Sequence, residues 1–83
     1  MIFVIFTEEG LAEAEAEVIT EKATLWLNPS LVEESDLSRL KAADIAIHGL
    51  PEQVDNINEK AVMAALTHVE SHSPKTEILV EYI

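Results

Sequence analysis

The sequence has 83 residues and a formal charge of −11, from 16 acidic and 5 basic residues, yet 48% of it is hydrophobic. The high hydrophobic content excludes an acidic disordered tail. The small number of basic residues excludes direct nucleic-acid binding through phosphate neutralisation. The chain has no cysteine, which excludes thiol catalysis, disulfides and thiolate metal sites.

The opening residues 1–6 form the longest apolar run near the start of the chain. The run is too short to cross a membrane, and no basic residues precede it as they would in a signal peptide. We therefore expect no membrane association, a cytoplasmic location and a protein of bacterial type. The length predicts one domain over residues 1–83.

Two strands and a helix are predicted in the first third of the chain. Residues 1–6 are apolar throughout and predict a strand covered on both faces. The Ala- and Glu-rich residues 7–22 predict a helix with Thr7 as its N-cap. Residues 24–28 predict a second strand, which Pro29 ends.

The middle of the chain predicts a helix followed by a strand. Ser30 and Glu33 have the spacing of a capping box and predict a helix over residues 30–42, with Ser35 as an alternative start. Residues 44–49 predict the third strand, and Gly49 is expected in the turn that follows it.

The last third predicts a helix over residues 56–72, with a cap at Asn56, and a strand over residues 77–83. Pro74 ends the helix. Its apolar residues fall on one stripe, typical of a helix packed on a sheet: Val62, Ala65, Leu66 and Val69. Glu81 interrupts one face of the strand and indicates an edge position.

The order β-α-β-α-β-α-β, with connections too long for hairpins, predicts a small α/β fold. We expect a four-stranded, mainly parallel sheet of order 2-1-3-4 with three helices and right-handed crossovers. This order puts the first helix alone on one face of the sheet. The alternative is a ferredoxin-like α+β fold in which residues 30–42 are an excursion between two antiparallel strands.

A row of carboxylates follows one side of the first predicted helix at a spacing of four residues: Glu9, Glu13, Glu17 and Glu21. Residues 1–34 carry eight Glu and one Lys, so the negative charge is concentrated there. The row indicates either a solvated face or a docking surface for a basic partner, including mimicry of a phosphate array. It does not converge as calcium ligands must. Glu15 interrupts the apolar side of the same helix and indicates either a border residue or a partly buried carboxylate.

Polar residues follow the predicted strands at the sheet edge where α/β proteins bind ligands. Thr7, Asn28, Ser30 and His48 are the candidates for a small-ligand or enzymatic site. No Gly-rich loop follows the first strand, and two carboxylates stand there, so we expect neither a nucleotide nor any other cofactor. This catalytic hypothesis is the alternative reading, and no catalytic residue is assigned.

His68 and His72 lie four residues apart, as in two-histidine zinc sites. No third ligand is nearby in the sequence, and we favour a structural role at a helix C-terminus, with no metal.

The leading hypothesis is a non-enzymatic interaction or regulatory module. Three helices leave part of a four-stranded sheet uncovered, and the large residues available there are Trp26, Ile78, Val80, Tyr82 and Ile83. Such surfaces mark association, and a small domain gains stability from it. We therefore predict a homodimer, formed through the uncovered sheet surface or the last strand.

Overall fold

The computed structural model describes residues 1–55, 57–73 and 76–81. Its strands are β1 (Ile2–Ile5), β2 (Thr24–Leu27), β3 (Ile47–Gly49) and β4 (Ile78–Val80). Its helices are α1 (Glu8–Glu21), α2 (Pro29–Glu34), α3 (Ser38–Ala42) and α4 (Glu59–His72). The predictions that fall on Asn56, Pro74, Tyr82 and Ile83 lie outside the described residues. No helix in the described ranges is both long enough and apolar enough to cross a membrane.

The four strands form one sheet in which every neighbouring pair is parallel. The predicted α/β fold is confirmed, and the ferredoxin-like alternative is wrong because that fold requires antiparallel pairs. The strand order is β3-β2-β1-β4, which corrects the expected 2-1-3-4.

Burial explains the observed order. Both orders place the apolar strand β1 inside the sheet, but the observed one also places β2 inside. Leu25, Trp26 and Leu27 are all buried, whereas His48 and Gly49 of β3 are exposed. A strand such as β2, which is apolar on both faces, is most stable inside the sheet, where helices cover both faces. The more polar β3 can lie at the edge, where it is partly exposed to solvent.

The crossovers sort the helices into two layers. The chain moves in one direction from β1 through β2 to β3, so right-handed connections place α1, α2 and α3 on one face. It then reverses to reach β4, which places α4 on the other. The residues of the first core are Phe3, Ile5, Leu11, Val18, Ala23, Leu25, Leu27, Leu31, Leu37, Leu40 and Ile45. Those of the second are Ile2, Val4, Phe6, Trp26, Leu50, Val54, Val62, Ala65 and Val69. The expected placement of the first helix alone on one face is therefore wrong.

The ends of α1 follow from local chemistry. The predicted cap is confirmed, since the Thr7 hydroxyl accepts a hydrogen bond from the Gly10 N–H at 3.1 Å. Lys22 ends the helix in the left-handed conformation, with φ of 52°.

The predicted helix over residues 30–42 is two helices in the structure. Pro29, whose fixed φ suits the first turn of a helix, begins α2, and Ser30 lies within it. Asp36 accepts a hydrogen bond from the Ser38 N–H at 3.0 Å and thereby starts α3. α4 begins later than expected, with Asn58 as the cap that accepts from the Ala61 N–H at 3.2 Å.

β4 is an edge strand, as the position of Glu81 predicted. It lies on the opposite side of β1 from β2, and the helices of the first layer follow the β1-to-β3 direction. The side of β4 that faces this layer is therefore left open beside α1, and Leu79 there is 38% exposed.

Candidate binding groove beside the edge strand

A groove of about 330 Å³ runs between α1 and β4; we call it the α1–β4 groove. Its floor is apolar and consists of Phe3, Ile5, Ala14 and Leu79. Glu13 and Glu17 form its wall on the α1 side. An apolar floor beneath two carboxylates suits a ligand that is both apolar and positively charged.

The predicted acidic row is divided by this groove. Glu9, Glu13, Glu17 and Glu21 are all exposed, but only Glu13 and Glu17 line the groove. Glu15 points to the other side of the helix, where its carboxylate lies 3.0 Å from the Arg39 guanidinium of α3. Arg39 therefore lies on the side of α1 away from the groove wall.

The carboxylate of Glu81 closes one end of the groove. It accepts hydrogen bonds from the Phe6 N–H at 2.7 Å, the Thr7 N–H at 2.9 Å and the Thr7 hydroxyl at 2.5 Å. This position lies between β1 and β4, where the chain direction across the sheet reverses and α/β proteins commonly bind a ligand. The N-terminal end of a helix has a partial positive charge and attracts an anion. At α1 this anion is the Glu81 carboxylate of the same chain.

Gly10 is the residue that makes this contact possible. A Cβ atom at this position would overlap the carboxyl group of Glu81. Glycine is unfavourable in a helix by about 1 kcal/mol relative to alanine, and its presence in the first turn of α1 is explained by this close approach.

A second groove lies on the opposite face of β4 and has a volume of about 230 Å³; we call it the α4–β4 groove. Its walls are mainly apolar, with Met63 and Leu66 from α4 and Ile78 and Val80 from β4. Met63 is 58% exposed. The same groove is also lined by Glu70 of α4. The two faces of β4 therefore differ in degree, with two glutamates of α1 beside one face and a mainly apolar wall with a single glutamate beside the other.

Two of the predicted strand-end residues make structural contacts inside the protein. Thr7 contacts Gly10 and Glu81, as described above. Asn28 is fully buried, and its amide donates to the carbonyls of Phe6 at 2.9 Å and Val54 at 2.7 Å. Its carbonyl accepts from the Val54 N–H at 2.7 Å. Asn28 thus ties the end of β1 to the segment that precedes α4.

The other two strand-end residues make contacts of their own. The Ser30 hydroxyl accepts from the Gln53 amide at 2.9 Å on the surface. His48 stacks on Trp26, its neighbour across the β2–β3 pair, with ring centroids 4.8 Å apart. The α1–β4 and α4–β4 grooves contain none of the four predicted strand-end residues.

Trp26 was expected on the uncovered sheet surface, but it is buried in the core beneath α4. All three histidines surround its ring. The centroids of His68 and His72 each lie 5.5 Å from it, in edge contacts, and lie 4.7 Å from each other. His72 also places Nδ1 3.1 Å from the His68 carbonyl. Within residues 1–55, 57–73 and 76–81, no group of three or more His, Cys, Asp or Glu residues is arranged to hold a metal ion.

No protein-family model matches this chain, and comparisons with curated proteins and with solved structures found no significant similarity.

Sequence reasoning identified the acidic row but missed the groove, because Leu79 and Glu81 meet α1 only through the fold. One local signal was present. Gly10 is an isolated glycine in an Ala- and Glu-rich helix, and such a glycine commonly marks a close packing contact.

Proposed function

We propose that this protein is a non-enzymatic interaction module that binds a basic segment of a partner protein in the α1–β4 groove. The observation that carries the proposal is the position of Glu13 and Glu17 on the wall of an apolar-floored groove at an uncovered sheet edge. Exposed apolar surface with a charged rim is typical of association sites.

The charge of the groove favours a partner of opposite sign. Lys and Arg side chains have long apolar stems, which would cover Leu79 and Phe3, and cationic ends, which would reach Glu13 and Glu17. Two exposed ion pairs contribute about 1 kcal/mol together, and the rest of the affinity would come from apolar burial. Charge complementarity of this kind mainly sets specificity and association rate.

The row of four glutamates supplies a matched experiment. The probe is a capped eight-residue peptide in which Lys and Val alternate, titrated by calorimetry at low salt. We expect Glu13→Gln with Glu17→Gln to weaken binding about fivefold, the equivalent of about 1 kcal/mol. The control, Glu9→Gln with Glu21→Gln, removes the same charge from the same helix but leaves the groove wall intact, and should weaken binding much less.

Both double variants should fold, because each removes like-charged neighbours at i,i+4 spacing. Equal weakening by the two variants would show that net charge, and not the groove, attracts the peptide. Absence of binding to the unaltered protein would contradict the proposed function.

The oligomeric state and compartment expected from the sequence are parts of the same proposal. We propose a weak homodimer, which uses the uncovered sheet surface when no basic partner occupies it, and a cytoplasmic, bacterial setting, which the composition supports. Sedimentation tests the first, and cell fractionation of the source organism tests the second.

A further inference from the structure

In the part of the chain that the structure describes, the backbone groups on the outer edge of β4 have no strand partner. The Glu77 carbonyl accepts from the Ile2 N–H at 2.8 Å, and the Glu81 N–H donates to the Val4 carbonyl at 2.9 Å. The backbone groups of Glu77 and Glu81 therefore point toward β1. Because backbone groups alternate along a strand, the N–H and carbonyl of Ile78 and Val80 point to the opposite edge. Among the described residues, no strand pairs with that edge.

The side chains on either face of this edge meet two different environments. Leu79 points toward the α1–β4 groove, with Glu13 and Glu17 on its wall. Ile78 and Val80 point toward the α4–β4 groove, with exposed Met63 beside them. A strand added beside β4 would present alternate residues to a face with two glutamates and to a mainly apolar face with one, Glu70.

The spacing of the two groove glutamates fits such a strand. Glu13 and Glu17 are four residues apart in α1, which separates them by about 6 Å along the helix axis. Residues two apart in a strand are separated by about 6.6 Å. Two successive basic side chains on one face of an added strand would therefore each lie opposite one carboxylate.

A second copy of this chain fits the edge less well than a partner of opposite charge. The residues that flank Leu79 on the same face of the strand are Glu77 and Glu81. The Glu81 carboxylate is held by the backbone of its own chain. Pairing β4 with β4 would add the Glu77 carboxylate of one copy to the acidic face that carries Glu13 and Glu17 of the other, and like charges placed close together are destabilising.

We propose that the free edge of β4 binds an extended segment of a partner protein in which basic and apolar residues alternate. The basic residues face Glu13 and Glu17, the apolar residues face Met63 and Leu66, and the backbone pairs with Ile78 and Val80. This mode of recognition is strand addition. The inference rests on the proposed function and specifies the sequence pattern and conformation of the partner.

N-methylated peptides test the backbone pairing. The capped Lys-Val octapeptide is compared with two versions, one methylated on all Lys backbone nitrogens and one on all Val backbone nitrogens. In a strand these two sets of N–H groups point to opposite edges. We expect one version to bind within about threefold of the parent and the other to lose at least about tenfold, a difference of about 1.4 kcal/mol. Equal affinity of the two versions would overturn strand addition.

A peptide of the same composition tests the alternation. A block sequence of four Lys followed by four Val has the same charge and apolar content but cannot separate them on two faces. We expect it to bind at least about tenfold more weakly than the alternating peptide. Equal binding would overturn the alternation, whereas binding of the parent peptide that depends on Glu13 and Glu17 would still support the proposed function.

Discussion

Asn28 is the buried polar side chain on which the geometry of the sheet edge depends. Its amide and carbonyl groups make three short hydrogen bonds to the backbone of Phe6 and Val54. Removing the side chain would leave those backbone groups buried without partners, and each such group costs about 1–3 kcal/mol. The side chain therefore fixes the position at which β1 ends and α1 begins.

We predict that Asn28→Ala lowers the free energy of unfolding by about 3 kcal/mol, measured by urea denaturation. The control is Gln53→Ala, which removes two exposed hydrogen bonds with Ser30, one to its hydroxyl and one from its N–H, and should cost less than about 0.5 kcal/mol. Similar losses for the two variants would contradict the structural role of Asn28.

Asp36 gives a pH-dependent contribution at the start of α3. Hydrogen bonds from the Ser38 hydroxyl and then the Ser38 N–H lower the pKa of Asp36 below its ordinary value. Because the folded state has the lower pKa, the carboxylate stabilises the fold above the ordinary pKa of aspartate. This contribution is lost as the pH falls through the lowered pKa of the folded state.

We predict that Asp36→Ala lowers the melting temperature at neutral pH and that the difference from the unaltered protein shrinks as the pH falls through the lowered pKa of Asp36. Thermal melts from neutral to acidic pH measure this difference. Glu52→Ala, at an exposed carboxylate in a loop, is the control. A difference that stays constant down to the lowest pH would contradict the hydrogen-bonding role.

At the scale of elements, the contact between Gly10 and Glu81 joins α1 to the end of β4. A methyl group at Gly10 would displace the Glu81 carboxylate, which would break its hydrogen bonds to Phe6 and Thr7. The two residues should therefore show strong coupling in a double-mutant cycle.

We predict that Gly10→Ala destabilises the protein by about 1–3 kcal/mol when Glu81 is present, because charge-assisted hydrogen bonds are lost. In a Glu81→Ala background the same change should stabilise by up to about 1 kcal/mol, since alanine is the better helix former. Urea denaturation of the four proteins gives both values. Equal effects in the two backgrounds would contradict the contact.

The elements that the sequence predicted well are those with local signals. Thr7 at the start of α1 and the apolar stripe of α4 have such signals, and both are confirmed. The predicted strand order was wrong because strand pairing depends on contacts between residues far apart in the chain. The contrast between apolar Leu25–Leu27 and polar His48–Gly49 nevertheless favours the observed order. The groove was unpredicted because its walls lie more than sixty residues apart along the chain.

At the scale of the whole molecule, charge decides which association is favoured. The protein carries −11, so two copies repel each other, and the repulsion extends over about 10 Å at 0.1 M salt. Association with a basic partner is attractive over the same distance. Salt should therefore have opposite effects on the two complexes.

We predict that the homodimer strengthens as salt is raised from about 50 mM to about 500 mM, whereas peptide binding weakens. Sedimentation equilibrium at about 100 μM protein follows the first, and calorimetry follows the second. A monomeric mass at both salt concentrations would count against the homodimer. A dimer that dissociates in salt would contradict the charge argument.

The most direct test of strand addition is amide hydrogen exchange of β4 with and without the alternating Lys-Val peptide, read residue by residue by NMR. The free protein should exchange the Ile78 and Val80 amides quickly, because they point to the open edge, and should protect Leu79, which faces β1. Bound peptide should slow exchange at Ile78 and Val80 specifically. Binding that leaves these two amides unprotected would contradict recognition through the edge of β4.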